Sequence, residues 1–182
     1  SYDASLILQY VVGIINSFPA EQTKSGGILP ASAILSVGNA VAINGQDVTI
    51  PLSATNVSGM SSAQIRLQYD PLYLKVSQVA NMIPGMNLIY GNDTINGVLT
   101  IAMAGAYPLN ADAVLAEITF HTMLPMGNSA ITPLTVAEFL ANENDLTAGA
   151  INGSVTINDN MTTGITENQE NANGFMYPVY PN

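Results

Sequence analysis

Two hydrophobic periods divide the chain. Between Ala4 and Ser17 the apolar residues Leu6, Ile7, Tyr10, Val11, Ile14 and Ile15 recur at steps of three and four, the spacing that lines one face of an α-helix. Asp3 stands where an N-cap belongs, and Pro19 closes the run. Leu8 and Val12 widen the apolar stripe until only Ser5, Gln9, Gly13 and Asn16 stay polar, so the predicted helix needs a covering surface. Ordering its backbone costs about 1–2 kcal/mol per residue, and each buried aliphatic side chain returns about 1.5–3 kcal/mol, which leaves an isolated helix with no net gain.

Residues 20–31 (AEQTKSGGILPA) carry Gly-Gly and Pro without any period and read as a linker. From Ser32 the period becomes two. The runs AILSVGNAVAING, QDVTIPLSATNV, SSAQIRLQYDP, YLKVSQV, GVLTIAMAGA, AVLAEITFHTM, SAITPLTVAEFLA and INGSVTIN are short, rich in β-formers and punctuated by Gly, Pro and Asn. Eight or so strands at this spacing predict a mainly β fold, an antiparallel β-sandwich of jelly-roll type preceded by one N-terminal α-helix. After Asn158 the alternation stops. The expected organisation is a helix in 1–19, a linker in 20–31, a sandwich in 32–158 and a polar tether in 159–182.

Composition narrows the partners. Three Lys and Arg against thirteen Asp and Glu give a formal charge of −10, which repels nucleic acid and anionic lipid surfaces. No apolar run approaches the roughly 20 residues that cross a bilayer, so membrane insertion is not expected. Cysteine is absent, which removes disulfides, thiolate metal sites and thiol nucleophiles together. With few charged residues, the polar positions fall to Asn, Thr, Ser and Gly, a composition expected of modules displayed outside bacterial cells. The opening lacks a basic lead and a small-residue cleavage site, so if the protein is exported its signal is expected further upstream.

Catalytic chemistry finds little support. His121 alternates outward from Ile118 and Phe120 and reads as a solvated strand residue. Glu138, Glu143 and Asp145 are read as a solvated strand end and loop rather than as two carboxylates facing across a cleft. Asn142–Asp145 and Asn158–Asn160 offer oxygens to a cation but match no calcium-loop spacing. Sugar binding would need a flat aromatic strip. The chain has no Trp, and Tyr73, Tyr90 and Tyr107 fall near separate loops. The expectation is that the chain is not an enzyme.

Two stretches resemble modules of one biological system. SYDASLILQYVVGIINSFP at residues 1–19 resembles the second half of a dockerin repeat, a calcium loop followed by its helix. That resemblance implies Asp3 as the carboxylate of loop position 12, a calcium ligand only together with earlier loop positions that fall before residue 1; otherwise Asp3 is read as an N-cap. No cofactor is expected of the chain itself. Residues 33–157 resemble a cohesin domain, through GQDVTIPLSATNV at 45–57, SSAQIRLQYDPLYLKVSQV at 61–79, AVLAEITF at 113–120 and INGSVTI at 151–157. The ending FMYPVYPN is similar to the start of a sorting segment used for export by Bacteroidetes-like bacteria, carried mainly by residues 180–182.

The cohesin resemblance implies a flat sheet face that binds a dockerin-like protein. Alternation identifies its outward residues: Ser62, Gln64, Arg66 and Gln68 on one strand, and Thr100, Ala102 and Ala104 on another, against inward Ala63, Ile65, Leu67 and Tyr69 and inward Leu99, Ile101 and Met103. Ser62, Gln64 and Gly105 match positions where cohesins place polar or acidic contacts, and here they carry no carboxylate. Three functions stay open: a non-catalytic, extracellular scaffolding module linked to polysaccharide degradation, whose partner is a dockerin-like module; a structural subunit that self-assembles into a surface layer or fibre through the N-terminal helix, its partner another copy of itself; and a carbohydrate-binding module, less favoured for want of aromatics.

Overall fold

A computed structural model describes residues 33–124 and 129–159. The predicted helix, with Asp3, Leu6, Ile7, Tyr10, Val11, Ile14 and Ile15, lies outside the described residues, as do the linker and the tether.

Eleven strands are formed among the described residues: β1 (Ile34–Val37), β2 (Asn39–Ile43), β3 (Asp47–Thr55), β4 (Met60–Gln68), β5 (Leu74–Asn81), β6 (Met86–Asp93), β7 (Val98–Leu109), β8 (Ala113–Thr122), β9 (Ala130–Ala141), β10 (Asn144–Asp145) and β11 (Gly153–Asn158). They make two sheets, ordered β1-β3-β8-β5 and β2-β11-β9-β4-β7-β6, with β10 folded back on β9. The sequence-derived sandwich is therefore present. Alternation explains it: from Ala63 to Leu67 on β4 and from Leu99 to Met103 on β7 every second residue is buried, and Ile65, Leu67, Leu99 and Ile101 meet Leu35, Ile50, Leu52, Ile118 and Phe120 of the facing sheet in one core.

Three features depart from the sequence reading. The first predicted strand is two, because the chain leaves the smaller sheet at Gly38 and enters the larger one as β2. A Cβ on Gly38 would lie 2.7 Å from Pro51 Cδ, and one on Gly153 would lie 2.2 Å from the Gly38 carbonyl oxygen, so the crossover needs both glycines. Next, β2 pairs parallel to β11, from Asn39 beside Ser154 to Ile43 beside Asn158, within an otherwise antiparallel sheet. Finally, β6 was absent from the predicted runs. Met86 and Leu88 turn inward, but Asn87, the outward Ile89 and the exposed Tyr90 beside them blur the alternation on an edge strand.

Side chains fasten the irregular points of the ladders. At the bulge where β4 begins, Asn142 Oδ1 accepts from the Ser61 and Ser62 amides at 2.8 and 3.1 Å, and its Nδ2 donates to the Gly59 carbonyl at 2.8 Å. Where β9 shifts register near Val136, the Val136 amide donates to Asn152 Oδ1 at 2.8 Å. Tyr69, buried at the end of β4, packs its ring on Phe120 at 5.5 Å and donates its hydroxyl to Asn92 Oδ1 at 2.8 Å.

Candidate functional site

The seven residues expected to share one face do so. Across the antiparallel β4–β7 ladder Ser62 stands opposite Ala104, Gln64 opposite Ala102 and Arg66 opposite Thr100, while Gln68 faces Val98. Their neighbours Ala63, Ile65, Leu67, Leu99, Ile101 and Met103 are buried on the other side. The face continues onto β6, where Ile89 lies beside Ala102 and Gly91 beside Thr100, and onto β9, where Leu140 lies beside Gln64 and Glu138 beside Arg66.

The centre of this surface is low. Ala102, Ala104, Ser62 and Gly91 project little above the backbone, and shallow depressions are lined by Ser62, Gln64, Ala102 and Leu140 on one side and by Arg66, Gly91, Asp93 and Thr100 on the other. Gly105 is held to glycine by close packing, since a Cβ there would lie 2.8 Å from Met86 Cγ and 3.0 Å from the Gly85 carbonyl oxygen.

Glu138 is placed differently from the sequence reading. It stands within β9, paired with Arg66, rather than at a strand end. Its Oε2 accepts from Gln64 Nε2 at 3.2 Å and lies 4.0 Å from Arg66 Nη1. The face therefore does carry a carboxylate, supplied by a neighbouring strand rather than by the positions compared, and partly neutralised by Arg66. Counting β9 as the next strand over would have found it; sequence order hid that adjacency.

The other candidates are scattered. Glu143, in the turn after β9, lines the depression beside Ser62, Gln64 and Leu140, whereas Asp145 in the short strand is turned to local bonds: its Oδ1 accepts from the Thr147 amide at 3.0 Å, and bonds from Thr147 hold its carboxyl below the usual carboxylate range. Asn142 is committed to the β4 bulge, and Asn160 lies outside the described residues. Among the described residues no three His, Asp or Glu side chains gather as a metal site would require. His121 is on the outer face of the smaller sheet, with Nδ1 2.8 Å from Asp47 Oδ1 and Lys75 on the next strand beside it. Tyr73 packs against the core, Tyr90 is half exposed on β6 and Tyr107 projects far along β7, so the three form no aromatic strip.

Comparison with known proteins gives a consistent likeness. The model of a family described as the cohesin domain matches residues 34–171. Cellulose-binding protein A of Clostridium cellulovorans is 27% identical over 127 residues, which is 64% of this chain and 7% of that protein. The chain thus corresponds to a small part of that relative's length. Among solved structures, a chain of a type I cohesin–dockerin complex from Clostridium thermocellum superposes with a TM-score of 0.61 at 19% identity, covering 70% of this chain and 99% of that one. A non-cellulosomal cohesin from the archaeon Archaeoglobus fulgidus gives 0.60 at 19% identity, covering 70% and 91%. A solution structure from Clostridium acetobutylicum gives 0.60 at 23% identity, covering 69% and 90%.

Proposed function

The chain belongs to the cohesin family, and from that premise we propose that it is a non-catalytic docking module that holds a dockerin-like protein against the outer face of β9, β4, β7 and β6. The carrying observation is that seven residues picked out by alternation stand side by side in register on one low surface. Ala102, Ala104 and Ser62 let a partner helix lie close to the sheet. Ile89 and Leu140 supply apolar contact at its margins, and Gln64, Arg66 and Glu138 supply hydrogen bonds that fix orientation.

Such a module acts by joining other proteins, and an extracellular or cell-surface scaffold concerned with polysaccharide breakdown is the setting that fits, in line with the cellulose-binding relative and the charge-poor composition rich in Asn, Thr, Ser and Gly. Titration calorimetry against dockerin modules encoded in the same genome tests the proposal. Binding is expected for the parent, and Ala102→Arg, which plants a long charged side chain in the middle of the face, weakens it by about 100-fold or more without altering the fold. Absence of binding at about millimolar protein would refute the reading.

A further inference from the structure

Three Asn-Gly pairs fall among the described residues: Asn44-Gly45, Asn96-Gly97 and Asn152-Gly153. Asparagine before glycine is chemically labile, because the glycine has no Cβ to shield its amide nitrogen from the carboxamide one residue back. Reaction requires that carboxamide to swing onto its own following peptide. At two of the pairs the fold opposes the swing. The Leu124 backbone holds Asn44 at both ends, its amide donating to Oδ1 at 2.8 Å and its carbonyl accepting from Nδ2 at 3.3 Å, and the Gly45 amide itself donates to the Thr122 carbonyl at 3.1 Å. Asn152 Oδ1 accepts from the Val136 amide at 2.8 Å, and Gly153 is packed against the Gly38 carbonyl. Asn96 differs. It is exposed in the turn between β6 and β7, and its carboxamide is bound through Nδ2, the nitrogen that leaves, to Asp93 Oδ2 at 2.7 Å. That acceptor is an exposed carboxylate of the same turn, not the backbone of another strand. The lock on Gly97 acts through its carbonyl, on the side away from Asn96.

We propose that Asn96 is a site of spontaneous covalent modification, the pair among these three that the folded chain leaves open to deamidation. The Gly97 amide nitrogen, having given its proton to solvent base, attacks Asn96 Cγ. The new N–Cγ bond closes a cyclic imide, the Cγ–Nδ2 bond breaks, and Nδ2 takes a proton back from solvent and departs as ammonia. Water then adds to one of the two imide carbonyls and opens the ring to aspartate or isoaspartate, with no change of oxidation state. Either product replaces a donor to Asp93 with a second carboxylate beside it, and isoaspartate also lengthens the main chain in a turn whose Gly97 carbonyl is fixed to the Tyr69 amide. The new charge falls at the margin of the face built on β4 and β7, because Asn96 lines one depression together with Arg66, Gly91, Asp93 and Thr100. The chemistry itself is independent of what that face binds.

Peptide mapping by mass spectrometry, on the full chain kept folded in mildly alkaline buffer, follows the three pairs in one sample. Asn96 is expected to convert about tenfold faster than Asn44 or Asn152, since the held sites react only from locally opened molecules. In concentrated urea the three are expected to convert at similar rates, so that the folded chain makes the selection. Asn96→Gln, an exposed change, is expected to abolish isoaspartate in the peptide that spans the turn. Equal rates in the folded protein, or Asn44 or Asn152 ahead of Asn96, would overturn the proposal. So would a lead of Asn96 that persists undiminished in urea, or isoaspartate that survives Asn96→Gln and so belongs to Asn92 or Asp93 of the same peptide.

Discussion

At Gly97 the backbone turns with φ of 64°, and a Cβ there would lie 2.1 Å from the Tyr69 carbonyl oxygen and 2.8 Å from Pro71 Cδ. The Gly97 carbonyl in turn accepts from the Tyr69 amide at 2.9 Å, so the β6–β7 turn and the end of β4 are locked together through backbone alone. Gly97→Ala therefore lowers the unfolding free energy by about 2–3 kcal/mol, measured by urea denaturation, because neither neighbour can withdraw. Thr132 presents the opposite case. It is fully buried in β9 with a hydroxyl that finds no hydrogen-bond partner, so Thr132→Val is expected to raise stability by about 1 kcal/mol in the same measurement. Neither position could be read from the sequence, since a glycine among Asn and Asp looks like any turn glycine and a strand threonine looks solvated. The parity of Ser62 through Gln68 was legible because these seven residues, after the bulge at the start of β4, alternate without interruption.

At the scale of elements, regular runs were legible and junctions were not. Strands β3, β4, β7, β8 and β9 have long alternating patterns and were all anticipated; the edge strand β6 was missed, since its outward positions hold Ile89 and Gly91 and so mask the period. The switch at Gly38 was missed because the alternation of β1 runs on into β2 with only a glycine between. Turns carry their own chemistry. In the turn after β6, Asp93 accepts from Asn96 Nδ2 at 2.7 Å and from the Ile95 and Asn96 amides at 3.0 and 3.1 Å, and these bonds hold its carboxyl below the usual range. A carboxylate with a lowered folded pKa adds stability that is present above its unfolded value, near 4, and is lost as pH falls through the folded value. Denaturant midpoints measured from about pH 5 down to about pH 2 should thus fall less steeply for Asp93→Ala than for the parent. Tyr69 acts at the other extreme. Burial raises its phenol above 10, so the stability it contributes is intact below about pH 10 and declines above it as the unfolded chain ionises first; Tyr69→Phe flattens that alkaline decline.

For the whole molecule the dominant electrostatic fact is the charge of −10, with Arg66 and Lys75 the cations of the described residues, placed on opposite outer faces. Self-repulsion opposes the compact state, and added salt screens it. The thermal midpoint is expected to rise by a few degrees between about 10 and 200 mM sodium chloride, as read by calorimetry, and a fall would mean that specific ion pairs outweigh the general repulsion. The sandwich and the shared outward face of Ser62, Gln64, Arg66 and Gln68 were legible in the sequence because both follow from a period of two. The carboxylate of Glu138 was not, because its place depends on which strands lie side by side, and strand order is a property of the closed fold.

The parallel seating of β2 against β11 bears on how the domain responds to tension. A pull that enters upstream of β2 and leaves after Asn158 drags the two strands in opposite directions along their common axis, so the rungs from Asn39–Ser154 to Ile43–Asn158 share the force at once instead of parting one by one. The bonds from Val37 N to Ile151 O and from Ile151 N to Leu35 O extend that seam into β1. A domain laced in this way resists being unzipped from its ends, a useful property for any link that must hold while its attached proteins are tugged apart.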